Sequence, residues 1–283
     1  MTEDRKWHFS AGICAGAMSR SCTAPIDRLR TFFQVYGMDH AGRMTIKTTL
    51  SSMIHEGGIQ GLWRGNLMNI LKVSPEIGVR MMSYEQYKRL LGQTNEHEIT
   101  VAKKFICGSM AGFTATCLIY PMKTIKTRLT IRRTNEYKSI YDCIRKIYHT
   151  EGPLAFYKGI LPNILAILPA SGIDFALYET LKRYVEYKQN RPSGSIEKLL
   201  LGNVSIGVAN LFVYPLLQVR SRLQSNVNRT DTMTHIFKTL WKKRGIRGFY
   251  NGFGLHMLKM GPASGISFAT FEFVAKLLGT KAL

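Results

Sequence analysis

The sequence predicts an all-α membrane protein: six transmembrane helices laid out as three tandem helix-hairpin repeats with pseudo-threefold symmetry, each repeat carrying a short surface helix. Three observations predict it. A proline followed by a charged helical stretch recurs at Pro25, Pro121 and Pro215. A proline followed three residues later by glycine recurs as Pro75/Gly78, Pro169/Gly172 and Pro262/Gly265. Between these lies a third series, Glu56-Gly57, Glu151-Gly152 and Arg244-Gly245. Three landmarks in one order at one period of roughly 95 residues mark a triplicated unit. They divide the 283 residues into repeats at 1–92, 93–187 and 188–283, which together form one bundle.

The first element of each repeat is a long helix with few charges. His8 to Pro25, Phe105 to Pro121 and Leu199 to Leu217 are each close to the ~20 residues that span a bilayer. Proline inside a helix removes a hydrogen bond and kinks the chain, so three such helices would close a funnel at one end. Gly12/Gly16 and Gly108/Gly112 stand at GxxxG spacing and predict close helix contacts, whereas the third repeat has Gly202 and Gly207 instead. A basic segment with a surface helix follows. The second long helices begin after Asn66, Asn163 and Gly252, are more polar, and carry Lys72, Asp174 and Lys259. Ionisable groups at membrane depth face a bundle interior or a wet cavity, which predicts a channel or transporter rather than an anchor.

Composition alone points elsewhere, since a mean hydropathy of −0.06 and 20% charged residues suit a soluble chain. The formal net charge of +21 fits either nucleic acid or the handling of anions and anionic lipid. The spans exclude nucleic acid as the partner. The basic segments 26–65, 122–158 and 216–251 hold five, nine and eight Lys/Arg against three, three and one Asp/Glu. The connector at 92–99 has Glu96 and Glu98 and no base. This asymmetry places the three basic segments on one side of the membrane and both termini on the other. Cys14, Cys22, Cys107, Cys117 and Cys143 show no paired metal-ligand spacing and read as reduced packing residues. No nucleophile-base set, Walker loop or metal cluster is visible, so the chain is not expected to be an enzyme, and no resident cofactor or metal is expected.

The proline motifs read Pro25-Ile-Asp27-Arg-Leu-Arg30 with Gln34, Pro121-Met-Lys123-Thr-Ile-Lys126-Thr-Arg128, and Pro215-Leu-Leu217-Gln-Val-Arg220-Ser-Arg222 with Gln224. They resemble the mitochondrial carrier signature P-x-[DE]-x-x-[KR]. A second signature of that family, [FY]-[DE]-x-x-[KR], is matched by Tyr84-Glu85…Lys88 and Tyr178-Glu179…Lys182, and in part by Phe271-Glu272 with Ala275 at the basic position. Within the family the chain is most similar to the ATP-magnesium/phosphate carriers. That likeness rests on the runs 19–30 and 62–66, on Gly108-Ser-Met-Ala-Gly112, on Tyr120-Pro-Met122 and on Gly172-Ile-Asp174. It implies a short relative without the EF-hand regulatory domain, independent of calcium and seated in the mitochondrial inner membrane. Both termini would face the intermembrane space. The classical ADP/ATP exchangers carry an R-R-R-M-M-M run where this chain has Val219-Arg-Ser-Arg-Leu-Gln224, which argues against that subgroup.

The resemblance implies a matrix gate in which the acid two residues after each proline faces the base five residues after the next. One such pair is expected here, Asp27 with Lys126; Lys123 would repel Arg220, and Leu217 would leave Arg30 without a partner. Ion pairs in a wet cavity are worth ~0–1 kcal/mol each, so the gate is expected to close weakly without the bundle unfolding. Gln34 and Gln224 would brace this layer, with Thr130 as a weaker third; a plain surface position is the other reading. On the opposite side Glu85, Lys88, Glu179, Lys182 and Glu272 would form an incomplete second network.

Twelve residues before each aromatic of the second signature stand Lys72, Ala166 and Lys259, at one common depth. Two lysines on different helices near the midplane suit a multiply charged phosphate, and Arg20 adds a third cation; snorkelling to an interface is the other reading. The resemblance makes these substrate contacts and associates the Ala166-Ile167 position with adenine. Glu76 and Asp174 stand near a substrate-bound magnesium or in structural ion pairs, Asp174 with Arg80. Trp63-Arg64-Gly65 and Tyr157-Lys158-Gly159, with Gly57 and Gly152 upstream, resemble the family's cardiolipin sites; Tyr250-Asn251-Gly252 lacks the base. A turn between surface helix and span is the alternative for these triplets. The expected function is exchange of adenine nucleotide (ATP-magnesium, ADP) for phosphate by a monomer, with magnesium carried on the substrate. The alternatives are another anion such as coenzyme A, or a carrier-fold protein that no longer transports.

Overall fold

The computed structural model describes residues 3–37, 45–91, 101–132, 136–225 and 231–277; the acidic connector at 92–99 lies outside them. The first repeat comprises α1 (Glu3–Tyr36), the surface helix α2 (Ile46–Gly57), a tight turn at Ile59–Trp63, and a span in two pieces, α3 (Asn66–Leu71) and α4 (Val73–Leu90). The second comprises α5 (Val101–Ile131), α6 (Ile140–Glu151), a turn at Pro153–Tyr157 and α7 (Ile160–Gln189). The third comprises α8 (Ser195–Ser225), α9 (Met233–Arg244), the short α10 (Ile246–Phe249) and α11 (Phe253–Leu277). Pro25, Pro121 and Pro215 lie inside α1, α5 and α8. Pro169 and Pro262 are likewise carried inside unbroken helices. Only the first repeat breaks, at Lys72, which puts Pro75 in the opening turn of α4, where its missing N–H costs nothing.

The most extensive helix contacts are α1 with α11, α7 with α8 and α4 with α5. Each repeat thus ends against the start of the next and the last closes on the first. Three apolar clusters pin the surface helices to the ends of the proline helices. They centre on Leu29 and Met53, on Ile125, Leu129 and Ile147, and on Val219, Ile236 and Leu240. Residues 153–189 and 195–225 are each long and apolar enough to cross a membrane unaided. The second stretch contains the expected Leu199–Leu217 window. The first holds α7, which the sequence ranked among the more polar spans; Asp174 is the single charged residue between Gly159 and Tyr178, too little to offset its aliphatic content.

The GxxxG expectation fails. A Cβ on Gly12, Gly108 or Gly112 would meet nothing, and only Gly16 touches a neighbour, Val73. The tight positions are Ala11, Ala15, Ala111 and Ala115, buried to within 2%. Gly108 and Gly112 line the internal cavity instead, where a missing side chain leaves room.

Glycine does decide the turns. Gly58, Gly152 and Gly245 cap the surface helices with positive φ, so the repeating helix-end glycine is Gly58 rather than Gly57. Gly57 stands where the other repeats have Glu151 and Arg244. A Cβ on it would collide with the Arg64 guanidinium. Gly65, Gly159 and Gly252 open the second spans at φ near +80°. Side chains there would run into Thr130, the Arg220 carbonyl and the Arg30 carbonyl respectively. These glycines therefore allow each second span to abut the proline helix of the next repeat.

Candidate transport site and gate

The proline helices converge at the end that bears the basic segments. Asp27 is the hub. It holds Lys126 at 2.5 Å and Lys259 at 2.7 Å, with Arg30 at 3.9 Å. The Asp27–Lys126 pair is the one the carrier resemblance implied. Lys259, expected as a substrate contact, is held by Asp27. Arg30, expected to lack a partner, shares the same carboxylate.

One further expectation is corrected. Lys123 does not confront Arg220; its flexible stem turns to Glu76, 2.9 Å away on α4. Arg220 donates to Asn163 Oδ1 at 2.8 Å. The rearrangement follows from reach, because a lysine has four rotatable methylenes with which to leave a neighbour of like charge.

Beneath this layer the two glutamines are buried and bond across repeats. Gln34, 2% exposed, donates to the Tyr214 hydroxyl at 3.0 Å and accepts from Ser221 Oγ at 2.9 Å. Gln224, 1% exposed, accepts from Thr127 Oγ1 at 3.0 Å. All three contacts cross between repeats. Thr130 is no equivalent, since its hydroxyl donates to the Lys126 carbonyl one turn back.

One ring of bonds was missed from the sequence. Arg28 Nε donates to the Thr130 carbonyl at 3.1 Å, Arg128 Nε to the Gln224 carbonyl at 3.1 Å, and Arg222 Nη2 to the Val35 carbonyl at 2.7 Å. Each proline helix so reaches the C-terminal carbonyls of the next, where a cation also suits the helix dipole. The second and third arginines stand seven residues after their prolines. The first stands three after, one helical turn earlier, and that displacement hid the series. Arg128 in addition clasps Glu151 with both Nη atoms, at 2.5 and 2.8 Å, and Lys158 approaches the same carboxylate at 3.5 Å.

Above the gate lies a cavity of about 470 Å³ lined in part by Arg80, Thr116, Lys123, Asn163, Ile167 and Ser171. Ile167 is on its wall, but Ala166 is 2% exposed and packed away from it. The third position of the matched depth is thus a buried methyl, and Asn163 and Ile167 supply that wall. Lys72 makes no side-chain hydrogen bond or ion pair among the described residues, and lies within electrostatic reach of Lys126, Glu76, Arg20 and Lys123. Arg20 keeps a buried Nη1 without a partner. Asp174 does not pair with Arg80; Ser205 Oγ of α8 donates to it at 2.5 Å.

At the opposite end Glu179 pairs with Arg183 of its own helix at 3.9 Å. Ala275, where the signature would have a base, is fully buried, so a long cation would not fit there. Glu85 and Lys88 both have interacting partners. Lys182 and Glu272 are half-buried.

A groove of about 570 Å³ separates the first two repeats on the basic side. Its wall includes Trp63, Arg64, Gly65, Arg132 and Ser139. Trp63 is also structural, donating its indole N–H to the Ser21 carbonyl at 2.8 Å.

A closed ring of three homologous hairpins around a cationic cavity defines a membrane carrier rather than an enzyme. The description "Mitochondrial carrier protein" matches residues 7–95, 97–189 and 191–282, and the chain belongs to that family. It is 42% identical, over 97% of its length, to the Calcium-binding mitochondrial carrier protein SCaMC-2-A of Danio rerio. It is also 42% identical, over 96% and 98% of its length, to the Mitochondrial adenyl nucleotide antiporters SLC25A24-A of Xenopus laevis and SLC25A24 of Homo sapiens. The chain spans 60%, 58% and 61% of these three relatives respectively.

Proposed function

We propose that this carrier exchanges adenine nucleotide for phosphate across the mitochondrial inner membrane by alternating access. The carrying observation is the clustering of Arg20, Lys72, Lys123, Lys259 and Arg220 around two carboxylates, Asp27 and Glu76, next to the cavity that Lys123 lines. Such an excess of cations at midplane depth suits a polyphosphate, and the relatives named as adenyl nucleotide antiporters favour a nucleotide as its bearer. Ile167 on the cavity wall offers an apolar face for a base. Magnesium travels on the substrate.

The cross-repeat bonds at the basic end hold one gate shut, and opening requires their exchange for contacts at the other end. The charge asymmetry supports placing that end in the matrix and both termini in the intermembrane space. The groove at Trp63, Arg64, Arg132 and Ser139 supports cardiolipin binding, where helix-start amides and two guanidinium groups meet a lipid phosphate. Closure of the ring within one chain supports a monomer.

The test is uptake of labelled ATP, with and without magnesium, into cardiolipin-containing liposomes preloaded with phosphate. Wild type should take up ATP, and Lys72→Ala and Lys259→Ala should each lose at least tenfold of that rate. No uptake by folded wild type would sink the nucleotide reading and leave another anion or a non-transporting role.

A further inference from the structure

Glu76 is surrounded by positive charge beside the cavity. It pairs with Lys123 at 2.9 Å and lies within electrostatic reach of Lys72, Arg20 and Arg220. Among these neighbours Arg20 Nη1 and Arg220 Nε are buried N–H donors without a partner, as is Nδ2 of Asn163, the residue that accepts from Arg220. Lys123 itself lines the cavity, and both partners keep only about a fifth of their side-chain surface exposed. One carboxylate cannot satisfy four cations and the donors they leave idle, whereas the oxygens of a phosphoryl group could.

We propose that Glu76 is a built-in competitor of the substrate's phosphoryl group, and that Lys123 is a specificity-determining residue which that group takes over from it. In the empty carrier Glu76 neutralises the cluster and ties α4 to α5. An entering polyphosphate displaces it from Lys123 and engages Lys123 together with Arg20 and Lys72. The position two residues after Pro121 thereby serves substrate binding, although a gate acid would be expected there. Displacing Glu76 also removes one polar link between α4 and α5, which stay packed elsewhere along their length, so anion binding loosens one contact of the closed state. This inference rests on the proposed reading of the cavity as a phosphate-anion site. It requires no nucleotide.

Competition predicts effects of opposite sign for the two partners, which a merely structural ion pair does not. The probe is tripolyphosphate without magnesium, its binding to the purified full chain in cardiolipin-containing micelles read by titration calorimetry. Glu76→Gln should lower the ligand-free melting temperature yet tighten tripolyphosphate by roughly fivefold, since Lys123 is no longer held by a half-buried partner. Lys123→Gln should weaken it by about the same factor, the double variant should follow Lys123→Gln, and Lys123→Arg should stay near wild type. If Glu76→Gln does not survive purification, Glu76→Asp, which lengthens the pair, carries the same sign.

Weaker tripolyphosphate binding in Glu76→Gln would overturn the proposal. So would a loss confined to magnesium-loaded nucleotide, which would make Glu76 a cation ligand. Nucleotide exchange is a separate arm. Its failure alongside the opposite-sign result removes the nucleotide and keeps the competitor, whereas ATP exchange with equal losses in both variants does the reverse.

Discussion

Lys123 shows how far a single residue was legible. Its spacing from Pro121 placed it in the gate layer, and its charge marked a departure from the carrier pattern. Its partner was not legible, because Glu76 lies on another helix with no sequence relation to the proline motif. Lys259 leans to Asp27 for a related reason: spacing fixes height along a helix, but the nearest opposite charge decides which way a long side chain leans. Cys143 is a simpler case. It was read as packing, and it is fully buried on α6 against Ile125, Leu129 and Ile147. Burial pushes its thiol up to about 12, against a smaller opposing effect of Arg128 and Arg132. Since the thiolate is the reactive species, the folded protein should leave Cys143 unmodified by maleimide at pH about 8, where an ordinary thiol of pKa ~8.5 is partly ionised. Mass spectrometry of labelled peptides before and after unfolding checks this; rapid labelling of Cys143 in the folded carrier would contradict the packing.

The proline helices, surface helices and second spans were legible as elements, because interior prolines, helix-end glycines and apolar periodicity act locally. What joins them was less so. The glycine pairs promised close contacts that alanines make instead, since spacing shows that two small residues share a face but not which face meets a neighbour. The arginine ring escaped because its acceptors are backbone carbonyls, which leave no trace in side-chain pattern. The ring also has unequal members, and a comparison follows from that. Arg128 bonds a carbonyl and clasps Glu151, with side-chain exposures of 4% and 11%, so Arg128→Ala strands a buried carboxylate and should cost about 3–5 kcal/mol. Arg28 bonds the backbone carbonyls of Thr130 and Gly61 and no carboxylate among the described residues, and Arg28→Ala should cost about 1–3 kcal/mol. Melting temperatures in matched micelles rank the two. Equal losses would mean that Glu151 finds sufficient compensation in Lys158, which approaches it at 3.5 Å.

At the scale of the whole molecule, the three repeats meet at one carboxylate. Asp27 of the first repeat holds Lys126 of the second and Lys259 of the third, with its side chain 10% exposed. The second and third proline motifs supply no acid at the equivalent place, so the proposed gate is anchored asymmetrically. Removing either lysine leaves Asp27 a cationic partner. Removing Asp27 leaves Lys126, Lys259 and Arg30 facing one another in a confined space without the charge that gathered them. Asp27→Asn should therefore destabilise the closed gate more than Lys126→Gln and Lys259→Gln do separately. The readout is access from the basic side. In a background with the native cysteines replaced, Ser171→Cys places a thiol on the cavity wall, to be reacted with a membrane-impermeant maleimide applied to oriented vesicles from the side that bears the basic segments. Asp27→Asn should speed that labelling several-fold, with little change for either lysine variant. Equal rates in all three would mean that the glutamine braces and the arginine ring close the carrier without the charged hub, and that the gate is a property of the ring rather than of its central ion pairs.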